Sequence, residues 1–389
     1  MNLSYNQLLC DLQKAYLKAR IHKRHRAYQL NFQAELNRNL HELADELWSR
    51  TYKPMPSTCF VINDPKKREI MAAHFRDRIV HHLFFDYVYP MFLNTFISDS
   101  YSCISGRGTH FGIKRLQHHI RSCSHNYSQD CYVMKMDIRG YFMHIRRDLL
   151  LDFCLDTYSR MRSHRNRETN LAWDELLDFD FITYLTKVIV CHNPIEGCIM
   201  RGRKSDWDDL PHDKSLFHSP AGCGLPIGNL TSQLFSNVYL NLLDQYVKRV
   251  LGAKYYGRYV DDFYIVSGSK AELRAYIPQI CDFLENKLSL KLHAGKLRIV
   301  NAKHGVEFLG AFIKPWRTYL SNSTLHRILP KIYKQIENSS AERLEHSINS
   351  YLGVFKHHAS LRQRRGIFLN RKLIRRGCLN RFVTKFEHY

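Results

Sequence analysis

Apolar side chains recur every three or four positions along the first fifty residues, where Phe32, Leu36, Leu40, Leu43 and Leu47 form one stripe. That period predicts an N-terminal helical extension over residues 1–50. Beyond Thr51 the pattern shortens. Thr58 to Ile62 has strand character and is broken by Asn63, Asp64 and Pro65. A helical run follows from Arg76 to Tyr89, and Ser105, Gly106, Arg107 and Gly108 break the chain again. Residues 131–137 alternate, with Tyr132, Met134 and Met136 on one face and Val133 and Lys135 on the other, which predicts a strand ending at Asp137. From about Ser159 to Ala221 no period holds, and the charge runs Arg160 to Arg167 and Arg201 to Asp209 suggest an irregular insertion. Leu234 to Leu251 is expected to be helical, Tyr255 to Ser267 a hairpin, Ile277 to Leu288 a helix, Val306 to Ile313 a strand, and Leu325 to Tyr389 mainly helix.

At 389 residues the chain is longer than one core usually organises, so two or three lobes are expected. Lys and Arg number 58 against 36 Asp and Glu, a formal charge of +22 spread over the whole length. Such an excess repels itself unless a polyanion neutralises it, which makes nucleic acid the expected partner. Lys14, Lys18, Arg20, Lys23, Arg24 and Arg26, with Tyr16 and Tyr28 among them, suggest a phosphate-contacting face. The most apolar stretch, Ile79 to Ile97, is interrupted by His81, His82, Asp86, Pro90 and Asn94, so no membrane span is expected. Met1 to Gln13 lacks the basic start and apolar run of a signal peptide, and a cytoplasmic protein is expected. The 11 cysteines include no CxxC pair, which favours reduced, packed thiols over a zinc ribbon or a disulfide framework.

Tyr259-Val-Asp-Asp262 lies between two apolar strands, so two adjacent carboxylates meet at a hairpin tip. They repel each other and call for a cation. Asp137 adds a third carboxylate at another strand end, and a hard-oxygen triad of this kind suits two Mg²⁺ ions in phosphoryl transfer.

These residues resemble reverse transcriptases. Asp137-Ile-Arg-Gly-Tyr-Phe142 is similar to polymerase motif A, Gly224-Leu-Pro-Ile-Gly-Asn-Leu-Thr-Ser-Gln233 to motif B, and Tyr259-Val-Asp-Asp262 to motif C. Phe308-Leu-Gly310 resembles motif E, and Lys296 stands where motif D carries its lysine. Lys67-Arg-Glu-Ile70, Phe75-Arg-Asp-Arg78, Ser100-Tyr-Ser-Cys103 and Gly106-Arg-Gly108 resemble the finger motifs. Motif B carries Ile227-Gly228 and Ser232-Gln233 where most of the family has Gln-Gly and Ser-Pro. With Leu210-Pro-His-Asp-Lys-Ser-Leu-Phe217 and Asn349-Ser-Tyr-Leu-Gly353, it resembles the reverse transcriptases of diversity-generating retroelements.

The resemblance implies an α+β right-hand polymerase with fingers at 51–130, a palm with an antiparallel sheet at 131–313 including the insertion at about 159–221, and a short helical thumb at 314–389. It implies copying of a template-repeat RNA into cDNA, with errors opposite template adenines that rewrite a target gene. Template RNA, primer or cDNA, dNTPs and a small basic accessory variability protein are the implied partners, and two Mg²⁺ ions, replaceable by Mn²⁺, the implied cofactors. Asp137, Asp261, Asp262 and the backbone carbonyl of Ile138 would hold the ions, and Lys296 would act as general acid toward pyrophosphate. Lys67, Arg68 and Arg78, with Arg76 in the same motif, would meet the triphosphate. Phe142 would exclude a ribose 2′-hydroxyl, and Ile227 and Gly228 would border the incoming nucleotide. Lys356, Arg362, Arg364, Arg365, Arg371 and Lys372 would contact duplex phosphates. The alternatives are a group II intron, retron or defence-associated reverse transcriptase, or a catalytically silent RNA-binding protein on the same fold. The absence of chain after Tyr389 for an endonuclease module weighs against the intron class, and Ser232-Gln233 against retrons.

Overall fold

The computed structural model describes residues 3–358, except Pro65 and residues 339 and 340. The chain opens with helices α1 (Tyr5–Ala19), α2 (Ala27–Ala34) and α3 (Leu36–Trp48). Ser4 caps α1 by accepting the Gln7 N–H. The predicted stripe is thus split at Glu35 between two helices, yet Phe32, Leu40, Leu43 and Leu47 are all buried. Next come β1 (Thr58–Ile62), β2 (Arg68–Ala72), α4 (Phe75–Leu93), α5 (Thr109–Cys123) and β3 (Tyr132–Asp137). After β3 the chain forms α6 (Tyr141–His144), α7 (Arg147–Met161), α8 (Trp173–Leu176), α9 (Phe179–Cys191) and β4 (Ile199–Met200). It continues through α10 (Leu230–Gln245), which ends in a π turn over Tyr246–Val250, then β5 (Tyr255–Tyr259), β6 (Asp262–Ser267), α11 (Lys270–Leu288) and β7 (Arg298–Asn301). Last come β8 (Val306–Phe308), β9 (Ala311–Lys314), β10 (Arg317–Leu320), α12 (Asn322–Asn338) and α13 (Ala341–Lys356).

Three sheets result. The central one has the order β5-β6-β3-β7 and is antiparallel throughout. Its alternation is the one the sequence predicts. Met134 and Met136 join Tyr256, Phe263 and Ile265 in a core shared with α4, α10 and α11, whereas Val133, Tyr264 and Val266 face Ile113 and Leu116 of α5. A second sheet has the order β2-β1-β4, and a third, β10-β9-β8, precedes α12. Ile328, Ile332, Ile336, Ile348 and Phe355 of α12 and α13 form a separate small core. The fold is a right-hand polymerase of mixed helix and antiparallel sheet.

The N-terminal helices pack into the main body, where Leu8, Leu12, Tyr16, Leu40 and Leu47 enter the same continuous core as Met134, Met136 and Phe263 of the central sheet. Two expectations change. The insertion is not irregular throughout, since α9 buries Phe181, Ile182, Leu185 and Val190. Nor is Val306 to Ile313 one strand. Leu309 and Gly310 both take positive φ, 49° and 81°, and turn the chain back on itself so that Phe308 pairs with Ala311.

The basic N-terminal cluster is also partly structural. Lys14 pairs with Asp11 at 2.9 Å and Lys18 with Asp86 at 2.7 Å, and Tyr16 is a core residue stacked on Phe32. Among the described residues no helix is long and apolar enough to cross a membrane.

Candidate active site

Antiparallel pairing of β3 with β6 sets Asp137 opposite Asp262, and pairing of β5 with β6 sets Tyr259 opposite Asp262. Val260 and Asp261 are therefore the two residues of a tight hairpin turn, and all three predicted carboxylates meet at one end of the central sheet. Val260 has φ +55°, a conformation a β-branched residue rarely adopts.

Burial pushes the Asp261 carboxyl up to about 6, with Asp137 and Asp262 adding to the rise and Lys296 opposing it. Asp262 is likewise pushed up to about 6, first by burial; Lys135, Lys296 and Lys66 pull it down while Asp137 raises it. Carboxylates crowded in this way resist ionising together, which a cation would relieve, and their hard oxygens suit a divalent ion such as Mg²⁺. Among the described residues, however, no set of three His, Cys, Asp or Glu side chains stands in metal-ligand geometry. On Asp137 a lysine takes the cation's place: Lys296 Nζ donates to both carboxylate oxygens at 2.9 Å. Ile138 is buried, and its peptide is fixed beside the triad by an antiparallel bridge to Leu292 and by the Arg139 N–H to the Lys291 carbonyl at 2.9 Å.

Phe142 and Ile227 pack against the same group of side chains. Both border a small cluster made by Cys59 and Met71 of the fingers, Met143 of α6 and Leu216 of the insertion. The Ile227 carbonyl accepts the Met71 N–H at 2.9 Å, and the Phe142 carbonyl accepts the Leu225 N–H at 2.8 Å. Gly228 is required here: its φ is +126°, and a Cβ would lie 2.9 Å from Ile70 and 3.4 Å from the Met71 carbonyl oxygen.

Arg68 is exposed at the start of β2, and its charge acts on the Tyr259 hydroxyl. Lys67 donates to the Asp208 carbonyl of the insertion. Arg78 is held elsewhere: its Nε donates to the Ala73 carbonyl at 2.9 Å, and its guanidinium lies over the Tyr28 ring. Arg76 likewise pairs with Glu46 and covers Tyr52. Lys356 ends α13 at the surface, whereas Arg362, Arg364, Arg365, Arg371 and Lys372 lie outside the described residues.

Several residues beside the site escape a reading by motif. Glu69, 2% exposed, accepts the Trp207 indole N–H at 2.9 Å, the Ser215 hydroxyl at 2.8 Å and the Leu216 N–H at 2.7 Å, so it ties the insertion to the finger strand. Lys66 adds positive potential at Asp262. Arg258, fully buried beneath the hairpin, pairs with Asp244 of α10. A charged residue inside an otherwise apolar strand was the available signal for Arg258; no local pattern marks Glu69.

The reverse transcriptase (RNA-dependent DNA polymerase) family matches residues 63–313, well over half of the chain, including Asp137, Phe142, Ile227, Asp261, Asp262 and Lys296. The chain belongs to the reverse transcriptase family. Its fold and family are those of an RNA-directed DNA polymerase. Protein YkfC of Escherichia coli (strain K12) is 28% identical over 312 residues, covering 72% of this chain and 72% of that protein. Among solved structures, apo telomerase from Candida Tropicalis truncated from its C-terminal domain aligns with a TM-score of 0.47 at 12% identity, over 72% of this chain and 59% of that one. Telomerase from Candida albicans in complex with a TWJ fragment of telomeric RNA aligns with a TM-score of 0.47 at 11% identity, over 87% and 59%. The chain thus spans about three fifths of the telomerase chains it matches.

Proposed function

We propose that this reverse transcriptase serves a diversity-generating retroelement, copying a template-repeat RNA into cDNA with low fidelity at adenines. The observation that carries the reading is one small apolar cluster that Ile227 and Phe142 both border. Ile227 stands where most of the family has a glutamine beside the incoming nucleotide. A glutamine amide can hydrogen-bond sugar or primer and penalise a misaligned pair; isoleucine offers shape and dispersion alone. Phe142, at the same cluster, would collide with a ribose 2′-hydroxyl and favour dNTPs.

In this reading Asp137, Asp261 and Asp262, with the Ile138 carbonyl, would hold two Mg²⁺ ions, which would supply charge neutralisation at the triphosphate and a more acidic primer 3′-hydroxyl. The chain's own side chains do the rest. Lys296 releases Asp137 and turns to the leaving pyrophosphate, to which its ammonium can give a proton. Arg68 and Lys67 at the finger strand meet the triphosphate as a fork and a point charge. Template RNA and the growing cDNA lie against the basic surface that the +22 charge supplies, and a small basic accessory protein assists.

The experiment is sequencing of cDNA made on one RNA by the wild-type protein and by Ile227→Gln. Wild-type errors should concentrate opposite template adenine and fall in the variant. Equal adenine error rates from two active enzymes would remove Ile227 as the source. An even error spectrum in the wild type would favour the intron, retron or defence-associated alternatives.

A further inference from the structure

The tip that carries Asp261 is held in an unfavourable shape. A two-residue hairpin favours positive φ at its first turn residue, a place ordinarily taken by Gly, Asn or Asp, and here it falls to the β-branched Val260 at φ +55°. Both polar groups of Val260 are gripped from beneath. Its N–H donates to Ser102 Oγ at 3.2 Å, and its carbonyl accepts from Arg258 Nη1 at 3.0 Å.

Behind those contacts stands a buried polar network drawn from three separate stretches of chain. Arg258 of β5 donates through Nε and Nη2 to Asp244 at 2.7 and 2.6 Å, through Nη1 to Asn237 Oδ1 at 3.2 Å, and through Nη2 to Ser100 Oγ at 3.4 Å. With the Val260 carbonyl, these partners occupy every N–H of the guanidinium. Asp244 also accepts the Tyr256 hydroxyl at 2.6 Å. Asn237 accepts the Ser102 hydroxyl at 3.3 Å and donates to the Ser102 carbonyl at 2.8 Å. Ser100, Ser102, Asn237, Asp244 and Arg258 are each no more than 2% exposed.

A buried ion pair contributes little net stability, because desolvation offsets most of its attraction, and apolar residues of similar volume often serve stability as well. What apolar residues cannot do is hold a residue by both its N–H and its carbonyl. We infer that Ser102 and Arg258 are positioning residues for the catalytic hairpin: the Ser102–Asn237–Asp244–Arg258 network clamps the strained Val260 backbone on both sides and thereby fixes Asp261 where a divalent cation would be bound. The clamp joins the segment at Ser100 to Ser102, helix α10 and strand β5, so finger-side and palm elements set the ligand position together. The inference rests on the reading of Asp261 as a metal ligand.

The test uses Ser102→Ala in the full chain, since it removes the hydroxyl that accepts from Val260 and donates to Asn237 at nearly constant volume and leaves the Arg258–Asp244 pair in place. Three quantities are read: Mn²⁺ affinity by electron paramagnetic resonance without nucleotide, hydrogen exchange of the peptide spanning residues 255–263, and kcat and KM for dNTP in primer extension. Loss of the hydrogen bond to the Val260 N–H predicts Mn²⁺ affinity and kcat each lower by roughly three- to tenfold, with KM for dNTP within about twofold and faster exchange at the tip. Ser102→Thr, which keeps the hydroxyl, should restore wild-type behaviour. Should the alanine protein fail to fold, Ser102→Cys fills the same space with a poor acceptor and must weaken Mn²⁺ binding in the same direction. Unchanged Mn²⁺ affinity and kcat alongside a lower melting temperature would overturn the clamp and leave a structural role. Asp261→Asn is the control: if it leaves Mn²⁺ affinity intact, the metal-site reading fails, and if it abolishes binding while the Ser102 variants match wild type, the clamp alone fails.

Discussion

Two of the two-residue hairpin turns in this chain are stabilised in opposite ways. Between β8 and β9, Leu309 and Gly310 both take positive φ, the pattern of a turn whose twist matches its strands, and a glycine sits where it helps most. Between β5 and β6, Val260 alone has positive φ and no glycine is present. There a buried network of Ser102, Asn237, Asp244 and Arg258 holds the backbone instead. The first turn is specified by its own two residues. The second depends on side chains from distant parts of the chain, which is how strain persists at a site whose carboxylates must be placed closely.

The largest effect that would sharpen this contrast is at the strained tip. Asp261→Asn keeps the shape and removes the charge, so primer extension on RNA should fall by roughly a hundredfold or more, while the protein stays folded. A variant retaining a substantial fraction of wild-type extension would make the two hairpins functionally alike and remove the site reading. Next in size, Phe142→Ala should admit ribonucleotides and lower the dNTP-over-NTP ratio of kcat/KM by roughly tenfold. An unchanged ratio would show that the ring is only packing. Ile227→Gln should reduce errors opposite adenine by several-fold to about tenfold, the scale of one net hydrogen bond, in the sequencing comparison described above.

At the relaxed turn the expected cost is structural. An alanine at Gly310 must take φ +81° and set its Cβ 2.9 Å from Thr324 Oγ1. Gly310→Ala should therefore lose about 1–2 kcal/mol of stability by denaturant titration, with the dNTP-over-NTP ratio as in wild type. A catalytic defect without a stability loss would contradict the division of labour between the turns.

The smallest effect concerns pH. Asp261 and Asp262 have folded-state values near 6, above the ordinary 3.8. Raised carboxyl values mean that the folded protein holds these protons more tightly than the unfolded chain, so ionising the carboxylates costs stability. That cost is absent below about pH 4, grows as pH rises toward 6 and is complete above it. In metal-free buffer, Asp261→Asn should melt above wild type at pH 7.5, and the gap should close as pH falls from 6 toward 4. A gap independent of pH would mean that the carboxylate is not under strain.

The places where local pattern and structure part company follow one rule. Alternation along β3 matched because each face of that strand meets a different core, and period-two patterning records just that. Helix α9 was hidden in the insertion because flanking charge runs masked its apolar face. The Leu309-Gly310 turn was hidden because apolar residues continue on either side of it. Glu69, adjacent to Lys67 and Arg68, looks like one more surface charge in sequence, yet it is buried beneath Trp207, Ser215 and Leu216.

By itself the sequence determined the strand that ends in Asp137, the hairpin that carries Asp261 and Asp262, and the apolar character of Phe142 and Ile227, because periodicity and residue type are local properties. Only the tertiary structure decided what each charge does. It set Lys296 on Asp137, Lys67 on the Asp208 carbonyl, Arg78 on the Ala73 carbonyl and Arg258 on Asp244. The reason is physical: the role of a charge depends on its burial and on which partner lies within a few ångströms. Partners such as Asp137 and Lys296, 159 positions apart, are brought together by sheet register and helix packing rather than by spacing along the chain.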